Sequence, residues 1–320
     1  MNTIFDEIRV RTSEVAESAR WVRVNEEELN LYPEKLGLGE VSELNHTPEH
    51  HLLGQGEDTL RFFVLLDTIN FGSGYFPFLD KDSGVSGYFT VARRLKEYVQ
   101  SSGVPSADYL QRIRPIDCAK MLRQDIYNKH MEELMELFAL ALRVLGGWVV
   151  EKYSGDYLGF LKSSDSADQA VKKLSQMLPF DDRANYFGVS IPFYKRAQIL
   201  LQDMQMAEPN SPLLDFPDFD DLTVFADNIL PYVFRQDGLL ELDPWLEKRI
   251  SEEQLIASGS AEEIELRACS VYIGERVAEL VREDLRPISV RELDFRIWNR
   301  GQKLKKYSDE KRHRTRCIYY

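Results

Sequence analysis

The sequence predicts a mainly α-helical protein with few short strands, folded as a single domain over residues 1–320. Three observations point there. Apolar residues recur at helical spacing in several windows, Ser-x-x-Gln and Ser-x-x-Glu caps precede apolar runs, and the strict alternation of a half-buried strand is scarce. Of 320 residues, 43% are hydrophobic and 11% aromatic, which is enough for a sizeable core.

In chain order, FFVLLDTINFGSGYFP at 62–77 comes first. Its glycines either let the backbone turn tightly and approach a ligand beside Phe71 and Tyr75, or close a helix over packed aromatics. The run is not a GxGxxG fingerprint, so no dinucleotide fold follows from it. TVARRLKEYVQ at 90–100 is a helix closed by Ser101-Ser102-Gly103. MEELMELFALALRVL places Leu134, Leu137, Phe138, Ala141 and Leu145 on one helical stripe. GWVVEKYSGDYLGFL at 147–161 predicts a short hairpin around Ser154-Gly155, and Ser166 with Gln169 forms a capping box ahead of AVKKLSQML.

FYKRAQILLQD at 193–203 is a helix that Pro192 can start, which places Lys195 in the first turn. The helix dipole disfavours cations there, so Lys195 and Arg196 await an anionic ligand, a buried carboxylate or plain solvent. PNSPLLDFPDFDD at 209–221 is a loop leading into a helix. That helix is predicted in FDDLTVFADNILP at 219–231, with Leu222, Phe225, Ala226 and Ile229 as its stripe. Asp227 then sits near the C-terminal end, because Pro231 disfavours helix at Leu230. Ser251 with Gln254, and Ser260 with Glu263, open two more helices, the last over 261–283 and ending before Pro287. On that last helix Glu265, Cys269, Tyr272 and Arg276 share a face, and Glu265 either pairs with a neighbouring cation or meets donors on a ligand.

Composition removes several function classes. Lys plus Arg is 40 against 53 Asp plus Glu, a formal net charge of −13, so the broad basic face that grips a nucleic-acid polymer is not expected. A ligand with a single phosphate needs only a local cation cluster. Cys118, Cys269 and Cys317 lie far apart, which argues for reduced thiols and against a zinc site. HTPEHH at 46–51 holds three histidines, but Pro48 spoils a helical pair, and a surface loop is expected. No metal and no cofactor is called for. The opening MNTIFDEIRV lacks the apolar core of a signal peptide, and the apolar tract 137–150 is broken by Arg143 and too short to span a bilayer. A cytoplasmic protein with no membrane partner is the expectation.

Five segments together resemble the queuosine salvage family, the queuosine 5′-phosphate N-glycosidases. They are LLDTINF at 65–71, FYKRAQIL at 193–200, DLTVFAD at 221–227, EIELRAC at 263–269 and ELDFRIW at 292–298, in the family's order and rough spacing. The chain departs from eukaryotic members at Gly72-Ser73-Gly74, where those carry bulky aromatics, and at 228–232. The resemblance implies a helical fold similar to the helix-hairpin-helix DNA glycosylases. It implies hydrolysis of the N-glycosidic bond of queuosine 5′-monophosphate, releasing queuine, a 7-deazaguanine base, and ribose 5-phosphate. The partners are then a small nucleotide and the free base.

Such a cleavage builds positive charge on the ribose and needs a carboxylate near the anomeric carbon. The resemblance gives that part to Asp227, as electrostatic stabiliser, water-orienting base or nucleophile, with a helix C-terminus beside it favouring the cation. Lys195 is placed next to Asp227 by similarity to lysine–aspartate pairs of the DNA glycosylases, and Arg196 faces the nucleotide with it. A 7-deazapurine has carbon where guanine has N7, so the leaving base must be stabilised through other atoms. Phe71, Tyr232 and Trp298 are the aromatics that would stack on it, and Asp67 and Asn70 would read its edge. Glu265 or Asp294 would meet the ammonium that links the cyclopentenediol, and Arg267 lies in the matching EIELRAC segment. Two other readings remain open: a non-catalytic queuine-binding protein, and a glycosylase acting on a base in DNA or tRNA.

Overall fold

The computed structural model describes residues 3–35, 46–283, 288–304 and 311–320. The chain divides into two compact units. The first comprises residues 1–44, 183–195 and 218–316, and the second comprises 45–182, 196–217 and 317–320.

The first unit is built on the helix Ala261–Glu283, whose bounds agree with the sequence reading. Ser260 receives the Glu263 N–H, and the Glu263 carboxylate receives the Gly259 N–H, so the cap works in both directions. The N-terminal helix Ile4–Ser18 packs along it and starts with a Thr3/Asp6 capping box. Helices Glu26–Lys35, Leu230–Gln236 and Val290–Leu304 pack on it as well. The strands are few and short, as expected: Val22–Val24 pairs antiparallel with Leu240–Leu242, and Arg183–Tyr186 forms a hairpin with Val189–Pro192. Pro192 therefore ends a strand, and the following helix starts three residues later, at Lys195.

Two expectations for the helices of this unit are corrected. Ser251 closes the helix Pro244–Ser251 rather than opening one. Asp243 is the true start signal, since its side chain accepts the Trp245 N–H and Pro244 follows at the first helical position. The second correction concerns 219–231, where only the single turn Phe219–Asp221 is helical before Leu230.

Among its described residues the second unit contains helices, turns and loops but no strand. Its axis is the 25-residue helix Lys129–Tyr153, against which helices Glu57–Thr68, Ala107–Leu110 and Pro115–Met121 pack. The predicted hairpin at 147–161 is absent because the helix continues to Tyr153 and the chain then turns into the short helix Gly159–Lys162. Trp148 and Val149 continue the buried stripe of Leu142 and Leu145, and burial overrides their strand preference. Ser154 ends the helix in the left-handed region at φ 53°. The helix around 90–100 spans Gly87–Ser102 and is capped by Gly103, as read.

The histidines of HTPEHH are turned inward, which corrects the surface-loop expectation. His51 is held between the Thr47 carbonyl and the Tyr88 hydroxyl, and its ring stacks on Phe63. His50 stacks on Phe89, and His46 hydrogen-bonds the Asp203 carbonyl oxygen at 3.0 Å. Burial pushes His46 down to about 4 and His51 down to about 3, so both are neutral at physiological pH. Among the described residues no helix is long and apolar enough to cross a membrane, and no cluster of three or more metal-ligating side chains occurs.

Candidate active site

Residues 222–229 form neither helix nor strand, yet Leu222, Val224, Phe225, Ala226 and Ile229 are all buried. Buried irregular backbone needs partners for its polar groups. Two side chains from separate helices supply them. Asp294 Oδ1 accepts the Phe225 N–H at 2.7 Å, and Arg267 Nε donates to the Ala226 carbonyl at 3.0 Å. Arg267 is itself fixed, with its guanidinium 4.0 Å over the Phe193 ring and 3.7 Å from the Glu263 carboxylate. Two glycines let the segment come close. A Cβ on Gly274 would stand 2.5 Å from Val224, and one on Gly301 would stand 2.5 Å from Ile229.

This clamp presents Asp227. The residue is 8% exposed, and its Oδ1 accepts the N–H groups of Ile229 at 2.6 Å and Leu230 at 3.2 Å. Asp227 thus precedes the helix Leu230–Gln236 instead of ending one. Pro231 lies in the first turn, where its missing N–H costs nothing, so the proline that seemed to stop a helix begins one. The negative helix end expected beside Asp227 is absent, and the positive end is there in its place. Oδ2 makes no hydrogen bond among the described residues.

Tyr232 follows on the same short helix and is buried. The Arg312 guanidinium covers one face of its ring at 5.2 Å, so that face is closed to a stacking base. Arg312 is carried by the segment 311–316, which the Ile256 N–H holds through the Arg314 carbonyl at 2.8 Å. Burial lowers the pKa of Arg312, while the nearby Asp227 and Tyr232 raise it. The adjacent His313 is pushed down to about 3 by burial and the Arg267 and Arg235 charges, and is neutral. Lys195, the first residue of the helix Lys195–Ala207, is buried and belongs to the same unit as Asp227. Asp294 and Trp298 lie four residues apart on the helix Val290–Leu304, with Trp298 half-buried.

Glu265 is buried, and both of its oxygens are occupied. Oε2 accepts the backbone N–H groups of Arg20 at 3.0 Å, Trp21 at 2.7 Å and Val22 at 3.1 Å, and Oε1 accepts the Tyr186 hydroxyl at 2.8 Å. The carboxylate ties the end of the N-terminal helix and the hairpin to the long helix, which leaves it no oxygen for a ligand ammonium.

The second unit gathers the remaining candidates. Asn70 Nδ2 donates to Asp67 Oδ1 at 2.9 Å just past the helix Glu57–Thr68. Phe71 is buried, edge-to-face with Phe138 at 4.9 Å, and the Arg196 guanidinium lies 4.8 Å over its ring. Gly72 follows at φ +99°, where a Cβ would stand 2.6 Å from Leu134, so its close approach serves the packing of this helix pair. Arg196 is buried within this unit. It donates to the carbonyls of Asp67, Thr68, Pro179 and Ile318, and burial pulls its pKa down to about 10. The cation joins three stretches of backbone, and its donors are not turned toward a nucleotide.

Comparison with known proteins bears on this constellation. The model of the queuosine salvage protein family matches residues 50–320. The chain belongs to that family. It is 29% identical over 316 residues to the queuosine 5′-phosphate N-glycosylase/hydrolase of Sphaerobacter thermophilus, covering 97% of this chain and 96% of that protein. It is 28% identical over 336 residues to the mouse protein of the same name, with 96% of each covered, and 26% identical over 344 residues to that of Schizosaccharomyces pombe. Within this queuosine salvage chain, the first unit carries Lys195, Asp227, Tyr232, Glu265, Arg267, Asp294 and Trp298, and the second carries Asp67, Asn70, Phe71 and Arg196. Sequence reasoning missed Arg312. It lies in KRHRTRC, which reads as a solvated run of charge, and no spacing links it to Asp227.

Proposed function

We propose that this protein hydrolyses the N-glycosidic bond of queuosine 5′-monophosphate, releasing queuine and ribose 5-phosphate for salvage of the base. The observation that carries the reading is a buried carboxylate with one uncommitted oxygen, in a chain that aligns nearly end to end with relatives named for this reaction. Asp227 is the catalytic group. Its Oδ1 is anchored by two backbone donors, and Oδ2 is left for the anomeric side of the ribose, where positive charge builds as the bond to the base lengthens. Because a helix N-terminus adjoins it, the carboxylate itself, and not a helix dipole, supplies the stabilisation of that charge. Arg267 and Asp294 act as positioning residues, since they hold the two peptides ahead of Asp227. Lys195 assists the carboxylate. In the first unit Trp298 is the proposed contact to the base and Glu265 supports the frame; in the second, Arg196 and the buried Phe71 support the backbone that carries Asp67 and Asn70. We place the reaction in the cytoplasm, in keeping with three buried free cysteines, and without a polymeric nucleic acid, a membrane, a cofactor or a metal.

The test is incubation of the purified protein with queuosine 5′-monophosphate, queuosine and GMP, followed by chromatography for the free base. Queuine should appear from the monophosphate. In Asp227→Asn, which keeps an oxygen to accept the two N–H groups, kcat should fall by at least about 100-fold with the fold intact. Queuine bound but never released from either substrate would make the protein a binder instead.

A further inference from the structure

Among the described residues, five other than glycine have a positive φ: Arg123, Ser154, Phe187, Tyr194 and Glu253. Four of them stand where that conformation is routine. Arg123, Ser154 and Glu253 lie one or two residues past the end of a helix. Phe187 shares with Gly188 the two-residue turn of the hairpin 183–192. Tyr194 is different. It stands at φ 46°, between the end of the strand Val189–Pro192 and the first residue of the helix Lys195–Ala207. The residue just ahead of a helix is ordinarily extended. Tyr194 is also a buried aromatic, 7% exposed, and the left-handed region is costly for a bulky side chain. The next residue is unfavourable in its own way, because Lys195 is a buried cation at the positive end of a helix. Strain of this kind persists only where the surrounding structure over-determines it.

The residue on the other side of Tyr194 supplies that structure. Phe193 is buried, and the Arg267 guanidinium lies 4.0 Å over its ring. The same guanidinium donates from Nε to the Ala226 carbonyl at 3.0 Å, one residue ahead of Asp227. One buried arginine therefore touches both the chain that leads to Lys195 and the chain that leads to Asp227. We propose that Phe193 and Tyr194 are positioning residues, an elbow that sets Lys195 relative to Asp227. Phe193 fixes the elbow on Arg267. The left-handed turn at Tyr194 then decides the direction in which the helix starts, and Lys195 is its first residue. An extended residue at 194 would send Lys195 and the first helical turn elsewhere while Phe193 and Arg267 stayed in place. The assignment rests on the glycosidase reading above and adds what fixes the lysine; neither Phe193 nor Tyr194 touches the substrate in it.

The experiment measures kcat and KM for queuosine 5′-monophosphate, with urea midpoints on the same samples. Tyr194→Asn and Tyr194→Thr remove the same ring, are close in size and both suit the start of a helix, but only Asn takes a positive φ readily. Tyr194→Asn should keep a kcat about tenfold above that of Tyr194→Thr, with the two KM values within about twofold of each other. Phe193→Leu keeps an apolar side chain and loses the π face. It should lower kcat by about 10- to 30-fold with KM again within about twofold, and Phe193→Tyr, which restores the face, should recover most of the loss. Because the effect passes through Arg267, Phe193→Leu should cost less than about threefold more when added to Arg267→Gln. Equal kcat in Tyr194→Asn and Tyr194→Thr overturns the left-handed elbow, and fully multiplicative losses from Phe193→Leu and Arg267→Gln overturn its link to Asp227. A rise in KM as large as the fall in kcat also overturns the proposal, because the residues would then bind substrate. If a Tyr194 variant fails to accumulate, the cycle between Phe193 and Arg267 decides. If the wild type releases no queuine, the glycosidase reading fails, and the urea midpoints still test the turn: Tyr194→Asn above Tyr194→Thr sustains it, and equal midpoints overturn it.

Discussion

Replacing Glu265 separates a structural carboxylate from a ligand-binding one. Its four acceptor contacts have lengths of 2.7–3.1 Å, and three of the donors are the consecutive backbone N–H groups of Arg20, Trp21 and Val22. Hydrogen bonds to a charged group contribute about 1.5–3 kcal/mol and neutral ones about 0.5–1.5. Glu265→Gln keeps one carbonyl oxygen for the three N–H groups and turns its amide to the Tyr186 hydroxyl, which rotates to accept. Each of the three bonds then loses about 1 kcal/mol, offset in part by no longer burying a charge, for a net cost of about 2–3 kcal/mol. In a chain of this size that lowers Tm by roughly 3–5 °C. Glu265→Ala strands all three N–H groups, at about 1–3 kcal/mol each, a large share of the roughly 5–15 kcal/mol that holds a domain folded. Urea titration followed by circular dichroism, run beside steady-state kinetics, reads both effects. We expect Glu265→Gln to lower the midpoint with KM unchanged within about twofold, and Glu265→Ala to accumulate poorly. Unchanged stability together with a KM raised tenfold would refute the reasoning and return Glu265 to the ligand.

Three further outcomes follow from the geometry. Gly301→Ala introduces a Cβ 2.5 Å from Ile229 and 3.0 Å from Val233, so it should cost about 1–3 kcal/mol in urea melts and lower kcat as the Asp227 segment shifts. Arg196→Met leaves four buried carbonyls without their donor and should destabilise by at least about 3 kcal/mol, with most of the loss persisting in Arg196→Lys, whose ammonium lacks the fork. His46, His51 and His313 have folded pKa values of about 4, 3 and 3, below the ordinary 6.5. The unfolded chain therefore binds protons that the folded one refuses, and stability is full above pH 7 and declines as pH falls from about 6.5 toward 4. The contribution is on the order of 2 kcal/mol per histidine at pH 5, and a Tm that stays level down to pH 4.5 would contradict it.

The long helices were legible because their apolar stripes are regular and their ends carry explicit signals, such as Ser260 with Glu263 and the Gly103 cap. The candidate residues were legible as segments, and the family they indicated is the one to which the chain belongs. Their local geometry was less so. Leu222, Phe225, Ala226 and Ile229 have helical spacing, yet they are buried as loop residues, because their backbone is satisfied by Arg267 and Asp294, far along the chain. A single window cannot weigh such distant partners against propensity. The same holds for the 147–161 stretch, where aromatic and β-branched residues suggested strand and burial on one helical stripe prevailed. The roles of Arg196 and Glu265 were hidden for a related reason. A buried ion whose partners lie within the protein looks in sequence like one that awaits a ligand. Arg312 gave no signal at all, since its meaning comes entirely from the segment that places it on Tyr232.

The segment carrying Asp227 also bears on how this protein can change. Surface loops usually accept insertions and deletions, because their backbone answers to water. This one does not have that freedom. Each of Val224, Phe225, Ala226 and Ile229 meets a specific atom on one of two helices, in fixed order, so adding or removing one residue between 224 and 229 misaligns every later contact. Exchange of this segment between relatives of different length is therefore barred unless helices 261–283 and 290–304 travel with it, and the smallest portable piece of the proposed site is those helices and the loop together.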